Sequence, residues 1–171
     1  GKALYIGISN YNRQQTEKAA KILQELKTPF IINQIRYSML DRSIERDGLK
    51  DYAAQNGIGL IAFSPLAQGL LTDRYLNGIP EDSRIRTDGR FLKENAITPD
   101  LISKLTALNE IAGQRGQSLA QMALSWVLRD DALTSVLIGA SKPEQIAENA
   151  AIVHAPAFSR DELIAIDKIL G

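Results

Sequence analysis

The sequence contains no cysteine and a single histidine, His154. Without cysteine there is no disulfide scaffold, no thiolate nucleophile and no Cys-based zinc site. One histidine removes His-rich metal sites as well, and no metal-binding residue is nominated. Net charge is also missing: 20 Lys and Arg stand against 20 Asp and Glu. That balance leaves no basic field for nucleic acid and no cationic face for anionic lipid. No apolar run approaches the ~20 residues of a membrane span, and no basic-then-apolar leader opens the sequence. Gly and Pro are sparse, 12 and 6 in 171 residues, while 44% of residues are hydrophobic and 23% charged. This is the composition of an ordered globular protein with a sizeable core, and a soluble, cytoplasmic setting is expected.

What is present is an alternation of short apolar runs and helical patterns. Ala3–Ile8 reads as a strand and is followed by a helix over Gln14–Leu26, with Ala19, Ala20, Leu23 and Leu26 on one stripe. Phe30–Ile32 is a second strand, and an amphipathic helix through Leu49, Tyr52 and Ala53 stops at Gly57. Gly59–Phe63 is a third strand. These runs are apolar on both faces and bounded by Gly and Pro, the pattern of a parallel sheet covered by helices. Ser64–Pro99 is then a long irregular segment carrying Arg74, Arg84, Arg86 and Arg90, and loops of that length inside a compact domain are usually functional or mobile. Thr98-Pro99-Asp100 opens a helix with Leu101, Leu105, Leu108 and Ala112 at helical spacing. Ser118 and Gln121 form a capping box for a helix through Met122, Trp126 and Val127. Val136–Ile138 is a fourth strand, Ser141-Lys-Pro-Glu144 opens the helix after it, and Ser159 with Glu162 caps a last helix ending near Leu170.

Four strand-then-helix units suit an open doubly wound sheet or part of a (β/α)8 barrel. A full barrel takes about 250 residues and eight strands, so the expectation is α/β, the C-terminal half of a (β/α)8 TIM barrel. The opening residue is Gly rather than Met, and Leu4–Ile8 already reads as buried strand, so the chain is expected to be a piece of something longer. Residues 1–171 would then be half of one barrel and not an independent domain. Such a half leaves two bare strand edges and an uncovered inner layer.

Functional groups of a barrel lie at the carboxyl ends of its strands. Those ends read Ser9-Asn10, Asn33-Gln34, Phe63-Ser64-Pro65-Leu66 and Gly139-Ala140-Ser141: amides, hydroxyls, an aromatic and a helix start, with no carboxylate pair, His or Lys. This inventory fits a binding surface for an amide- and phosphate-bearing ligand better than it fits proton transfer. Bland roles compete at each position. Ser9-Asn10 is as suited to capping the following helix, Asn33-Gln34 to bonding neighbouring loops, and Phe63 and Trp126 to the core. Tyr5, Tyr37, Tyr52 and Tyr75 read as packing, the arginines as solvated charge, and His154 is assigned nothing.

A resemblance adds to this. Gly7-Ile-Ser-Asn10, Asn33-Gln34 with Tyr37, Ala62-Phe-Ser-Pro-Leu-Ala-Gln-Gly-Leu-Leu-Thr72, and Ser135-Val-Leu-Ile-Gly-Ala-Ser141 with Glu144-Gln-Ile-Ala-Glu-Asn149 resemble the second half of an aldo-keto reductase, in order and across the whole chain. Tyr75-Leu-Asn-Gly-Ile-Pro80 is nearest the branch holding bacterial L-glyceraldehyde 3-phosphate reductases and potassium-channel β subunits. The resemblance implies NADP(H) extended across the strand ends. By position it places Ser9, Asn10 and Gln34 at the nicotinamide carboxamide and Phe63 beneath the ring, where the family usually has Tyr or Trp. It places Ser64, Leu66, Ala67 and Gln68 over the pyrophosphate, with Arg74 and Arg84 as basic clasp residues. Gly139, Ser141 and Gln145 fall at the adenosine 2′-phosphate, and Glu148 and Asn149 at the adenine. Many reductases have Lys and Arg where this chain has Gly139 and Gln145, so Lys142 and Arg74 are expected to supply the charge that favours NADP(H).

The family's proton donor and its supporting groups precede residue 1, so no catalytic residue is assigned. The implied function is reduction of small aldehydes, triose phosphate or methylglyoxal-like compounds among them, by an intact parent whose N-terminal half is the missing partner. The isolated segment is expected to be inactive, and a homo-oligomeric state stays open. Two other readings compete: an NADP-sensing regulatory subunit of the channel-β type, and a non-redox phosphate-binding barrel.

Overall fold

The computed structural model describes residues 2–28, 30–76, 78–81 and 94–171. Its described residues form two compact units: one from residues up to Pro65 with Val127–Gly139, the other from Leu66–Trp126 with Ala140–Gly171. Strands β1 (Ile6–Ser9), β2 (Phe30–Arg36), β3 (Gly59–Phe63) and β4 (Ser135–Val136) form a parallel sheet in sequence order in the first unit. Helices α1 (Arg13–Glu25), α2 (Ser43–Arg46) and α3 (Leu49–Gln55) connect β1 to β2 and β2 to β3. Helices α4 (Pro99–Gln114), α5 (Leu119–Val127), α6 (Pro143–Ala150) and α7 (Arg160–Leu170) follow.

Capping residues set the helix starts. Asn12 caps α1 in a box with Gln15, so Ser9 and Asn10 do not carry that role. Thr98 caps α4 with Pro99 in its first turn, and Ser159 with Glu162 caps α7. Gly48, at φ +75°, ends α2 and starts α3, breaking the expected amphipathic stretch in two. In the second unit, Leu105, Leu108 and Ala112 of α4 and Met122, Ala123, Leu124 and Trp126 of α5 are buried together with Leu71 and Tyr75. No helix among the described residues is long and apolar enough to cross a membrane.

The sheet has two unlike faces, as the period-2 geometry of strands requires. Ile8, Asn33 and Leu60 lie in register, as do Ile35, Ala62 and Val136. Among them Asn33, Ile35, Leu60 and Ala62 are buried, and Asn33 bonds Thr16 of α1. The opposite face carries Gly7–Ile32–Gly59 in one row, Ser9–Gln34–Ile61 in the next and Arg36–Phe63 beyond it. Ile32, Gln34, Ile61 and Phe63 are only half-buried.

Differences from expectation lie at strand ends. β1 begins at Ile6 rather than Ala3, with Leu4 85% and Tyr5 62% exposed. β2 runs four residues past Ile32, because Asn33 finds buried partners and Gln34 and Arg36 face the open side. β4 has two residues, yet the Leu137 N–H still donates to Ala62 at 2.8 Å.

Glycine is required in β1. A Cβ on Gly7 would lie 2.6 Å from Ile32 Cγ2 and 3.3 Å from the Ile32 carbonyl oxygen. The neighbour is a β-branched side chain with little rotamer freedom, so the strand itself must give way. Gly7→Ala is therefore expected to cost about 1–3 kcal/mol, the usual range for overpacking, read as a lower urea midpoint at unchanged slope.

Candidate functional site

In the first unit the strand ends collect a polar and aromatic set on the open face. Ser9 and Gln34 stand side by side in register, and the Asn10 N–H donates to the Gln34 carbonyl at 2.8 Å. Phe63 follows one row on, across from Arg36. Among the described residues, the side chains of Ser9, Asn10 and Gln34 make no hydrogen bond. Asn33 differs: its Nδ2 donates to the Tyr11 carbonyl at 2.9 Å and to Thr16 Oγ1 at 3.0 Å. The adjacent amides therefore divide, Asn33 tying β2 to α1 and Gln34 offering donors and an acceptor on the open side. Asn10 (φ 60°) and Ser64 (φ 52°), directly after β1 and β3, are left-handed. Non-glycine residues held there mark sites where surrounding structure over-determines the backbone.

In the second unit, Ala67 (φ 47°), Gln68 (φ 60°) and Gly69 (φ 95°) are left-handed in a 3-10 turn closed by the Gly69 N–H donating to the Leu66 carbonyl at 2.9 Å. Buried Leu70, Leu71 and Tyr75 anchor this turn. Arg74 is exposed in the next turn, which Thr72 caps through the Arg74 N–H. Arg84 lies outside the described residues.

The start of α6 is built differently from expectation. Ser141 is not its cap; Gln145 folds back instead. Its Oε1 accepts from the Ser141 N–H at 2.8 Å, Ser141 Oγ at 3.2 Å and the Lys142 N–H at 3.3 Å. Three donors thus surround one oxygen in the field of a helix N-terminus, a donor set suited to a phosphate oxygen. Lys142 and Ser141 are exposed. A Cβ on Gly139, in the first unit, would meet nothing within 4 Å, so packing alone does not demand glycine there. Further along α6, the Glu148 carbonyl accepts from Gln121 Nε2 at 3.0 Å, and Asn149 is buried.

The aldo/keto reductase family model matches residues 1–171, the whole chain. The chain belongs to the aldo/keto reductase family. It is 51% identical over 173 aligned residues to an L-glyceraldehyde 3-phosphate reductase of Escherichia coli K12, covering 98% of this chain and 49% of the relative. The enzyme of the same name from E. coli O157:H7 is 50% identical over the same span. Among solved structures, the glycerol dehydrogenase of Gluconobacter oxydans superposes with a TM-score of 0.76 at 27% identity, over 97% of this chain and 48% of that one. A thermostable aldo-keto reductase solved with the inhibitor epalrestat gives a TM-score of 0.70 at 26% identity, over 96% and 48%. The chain thus spans about half the length of the relatives it matches. Its parallel strand–helix order is that of half an aldo-keto reductase (β/α)8 barrel.

Sequence reasoning missed one charged cluster entirely. Buried Tyr37 donates its hydroxyl proton to Glu45 Oε1, while Arg129 donates to Tyr37 Oη at 2.9 Å and to Glu45 Oε1 at 2.8 Å. Arg42 Nη2 lies 2.7 Å from Glu45 Oε2, and Lys50 sits 5.9 Å from the Tyr37 ring while pairing with Asp130 at 2.6 Å. Burial together with the Glu45 hydrogen bond pushes the Tyr37 phenol well above its ordinary value. Burial alone would raise Glu45, but hydrogen bonds from Tyr37, Arg129 and Arg42 outweigh it and hold the carboxyl below the usual range. Tyr37 reads as packing in sequence because Arg129 is 92 residues away along the chain, and no local spacing announces the pair.

Proposed function

We propose that the full-length protein is an NADPH-dependent reductase of small aldehydes, with glyceraldehyde 3-phosphate the first substrate to test. In this reading, residues 1–171 form the second half of a single barrel. They contribute most of the nucleotide-binding groups, and the N-terminal half brings the catalytic acid. The observation that carries it is 51% identity to a reductase of that aldehyde across 98% of the chain. The residues present suit the cofactor: an open-face amide and hydroxyl pair beside an aromatic, left-handed backbone amides, and a helix start that already holds an acceptor oxygen.

Bound nicotinamide supplies the hydride. Ser9, Asn10 and Gln34 would hold its carboxamide and fix which ring face is offered, and Phe63 would support the ring through its π-face. Leu66, Ala67 and Gln68 would lie over the pyrophosphate, with Ser64 before them and Arg74 and Arg84 adding charge. Gly139, Ser141 and Gln145 would receive the 2′-phosphate, and Glu148 and Asn149 the adenine. None of these side chains is suited to giving the proton that the developing alkoxide needs, so the segment alone is expected to show no turnover.

Titrating the full-length protein with NADPH and NADH, followed by aldehyde-dependent NADPH oxidation, tests the reading. Tighter NADPH binding with turnover supports it, and binding of neither nucleotide overturns it. Tight retention of NADP with negligible turnover would favour the sensing subunit instead. Phe63→Ala is expected to weaken NADPH about tenfold, the scale of one lost aromatic contact. Phe63→Tyr should bind within about twofold of the parent, since the stacking face is retained.

A further inference from the structure

We propose that the Tyr37–Glu45–Arg129 cluster positions the carboxyl end of β3, holding Phe63 and Ser64 where the nicotinamide end of the nucleotide requires them. The inference rests on the nucleotide reading above and deepens it. Tyr37 directly follows β2, and its N–H donates to the Phe63 carbonyl at 3.5 Å. That bond is long, so by itself it is a weak restraint on Phe63. Strength enters through the Tyr37 side chain, which is fully buried and bonded at its hydroxyl to both Glu45 and Arg129.

Three separate segments meet at that hydroxyl: the end of β2, helix α2 through Glu45, and the stretch before β4 through Arg129. Each is fixed again elsewhere. Arg42 grips the second Glu45 oxygen, and Asp130, next to Arg129, pairs with the largely buried Lys50 that lies over the Tyr37 ring. Tyr37 is therefore a fixed point against which the β2 and β3 ends are set. Ser64 is what needs a fixed point. Its left-handed backbone (φ 52°) begins one residue after Phe63, and such a conformation persists only when its surroundings impose it. Tyr37, Glu45 and Arg129 are not among the residues assigned to the nucleotide and act on it through the end of β3, so they are positioning residues.

The experiment uses two ligands on the full-length protein. NADPH engages both ends of the proposed site, whereas 2′,5′-ADP carries only the adenosine end assigned to Ser141, Gln145, Glu148 and Asn149. Tyr37→Phe keeps the ring and removes the hydroxyl. It is expected to raise the Kd for NADPH about five- to tenfold, the equivalent of one buried hydrogen bond, with the Kd for 2′,5′-ADP unchanged. Arg129→Lys, which keeps the charge but loses the forked geometry, should shift the same ratio and stands in if Tyr37→Phe does not fold. Unchanged NADPH affinity, or parallel weakening of both ligands, overturns the positioning role. Wild-type protein that binds neither ligand overturns the nucleotide reading itself, a separate and distinguishable failure.

Discussion

Arg115→Ala is expected to destabilise the unit formed by residues 66–126 and 140–171 by about 3 kcal/mol, since its buried guanidinium holds three hydrogen bonds of about 1 kcal/mol each. The Arg115 side chain is 3% exposed and follows α4, with Gly116 in the left-handed conformation behind it. Its guanidinium donates to Glu162 at 2.6 Å, to the Pro156 carbonyl at 2.6 Å and to Gln117 at 2.8 Å, and lies 3.8 Å from the Phe158 ring centre. One side chain thereby ties the end of α4 to the start of α7 and to the extended stretch before it. Removing it takes a donor from the Pro156 carbonyl, leaves the Glu162 carboxylate with the Ser159 N–H at 2.6 Å but without its cation, and bares the Phe158 face. Arg115→Met should recover part of the loss, because its aliphatic stem still covers the Phe158 face. Urea unfolding at constant slope reads each value.

The same pair predicts an acid dependence. Burial pushes the Glu162 carboxyl upward, but the Ser159 amide and the Arg115 guanidinium prevail and hold it below its ordinary 4.5. A carboxyl with a lowered folded-state value adds stability above the unfolded value, and that stability is lost as pH falls through the lowered one. Wild type should therefore weaken below about pH 4.5, and Arg115→Ala should show a shallower fall over that window because less remains to lose.

The periodic and capping signals survived folding because both are local. Gly59–Phe63 is a strand with the expected bounds, Thr98-Pro99 starts α4, and Ser159 with Glu162 caps α7. Each rests on residues within one turn or one pleat. What sequence could not weigh was the choice between neighbours of the same type. Asn33 and Gln34 are adjacent amides, and only the pleat, with Thr16 and the Tyr11 carbonyl on one side, decides which is structural. At α6, Lys142 takes the cap position, and Gln145 in the first turn folds back because one oxygen there reaches three donors. The Tyr37 cluster was invisible for the same physical reason in stronger form. Arg129 lies 84 residues from Glu45 and 92 from Tyr37 along the chain, and only the tertiary fold brings it to them.

Glu45→Ala carries the second large expected loss, about 3–5 kcal/mol from the unit that holds the sheet. Glu45 is the acceptor on which Tyr37, Arg42 and Arg129 converge. Deleting it leaves two guanidiniums, 25% and 13% exposed, and the buried Tyr37 phenol without the carboxylate on which all three converge. Arg129→Ala should cost less, because Glu45 retains Arg42 and Tyr37. The order Glu45→Ala worse than Arg129→Ala therefore separates a charge-centred cluster from simple packing, where the larger arginine would dominate. Glu45→Gln, which keeps the shape and some hydrogen bonding, should fall between wild type and alanine. The sign with pH follows from the lowered Glu45 value: its contribution is complete above the ordinary carboxylate range and disappears as acid protonates it. Unfolding curves at pH 7 and pH 3.5 should show the Glu45→Ala deficit shrinking in acid. A deficit of equal size at both pH values would mean that the carboxylate charge contributes nothing and that Tyr37 is held by packing alone.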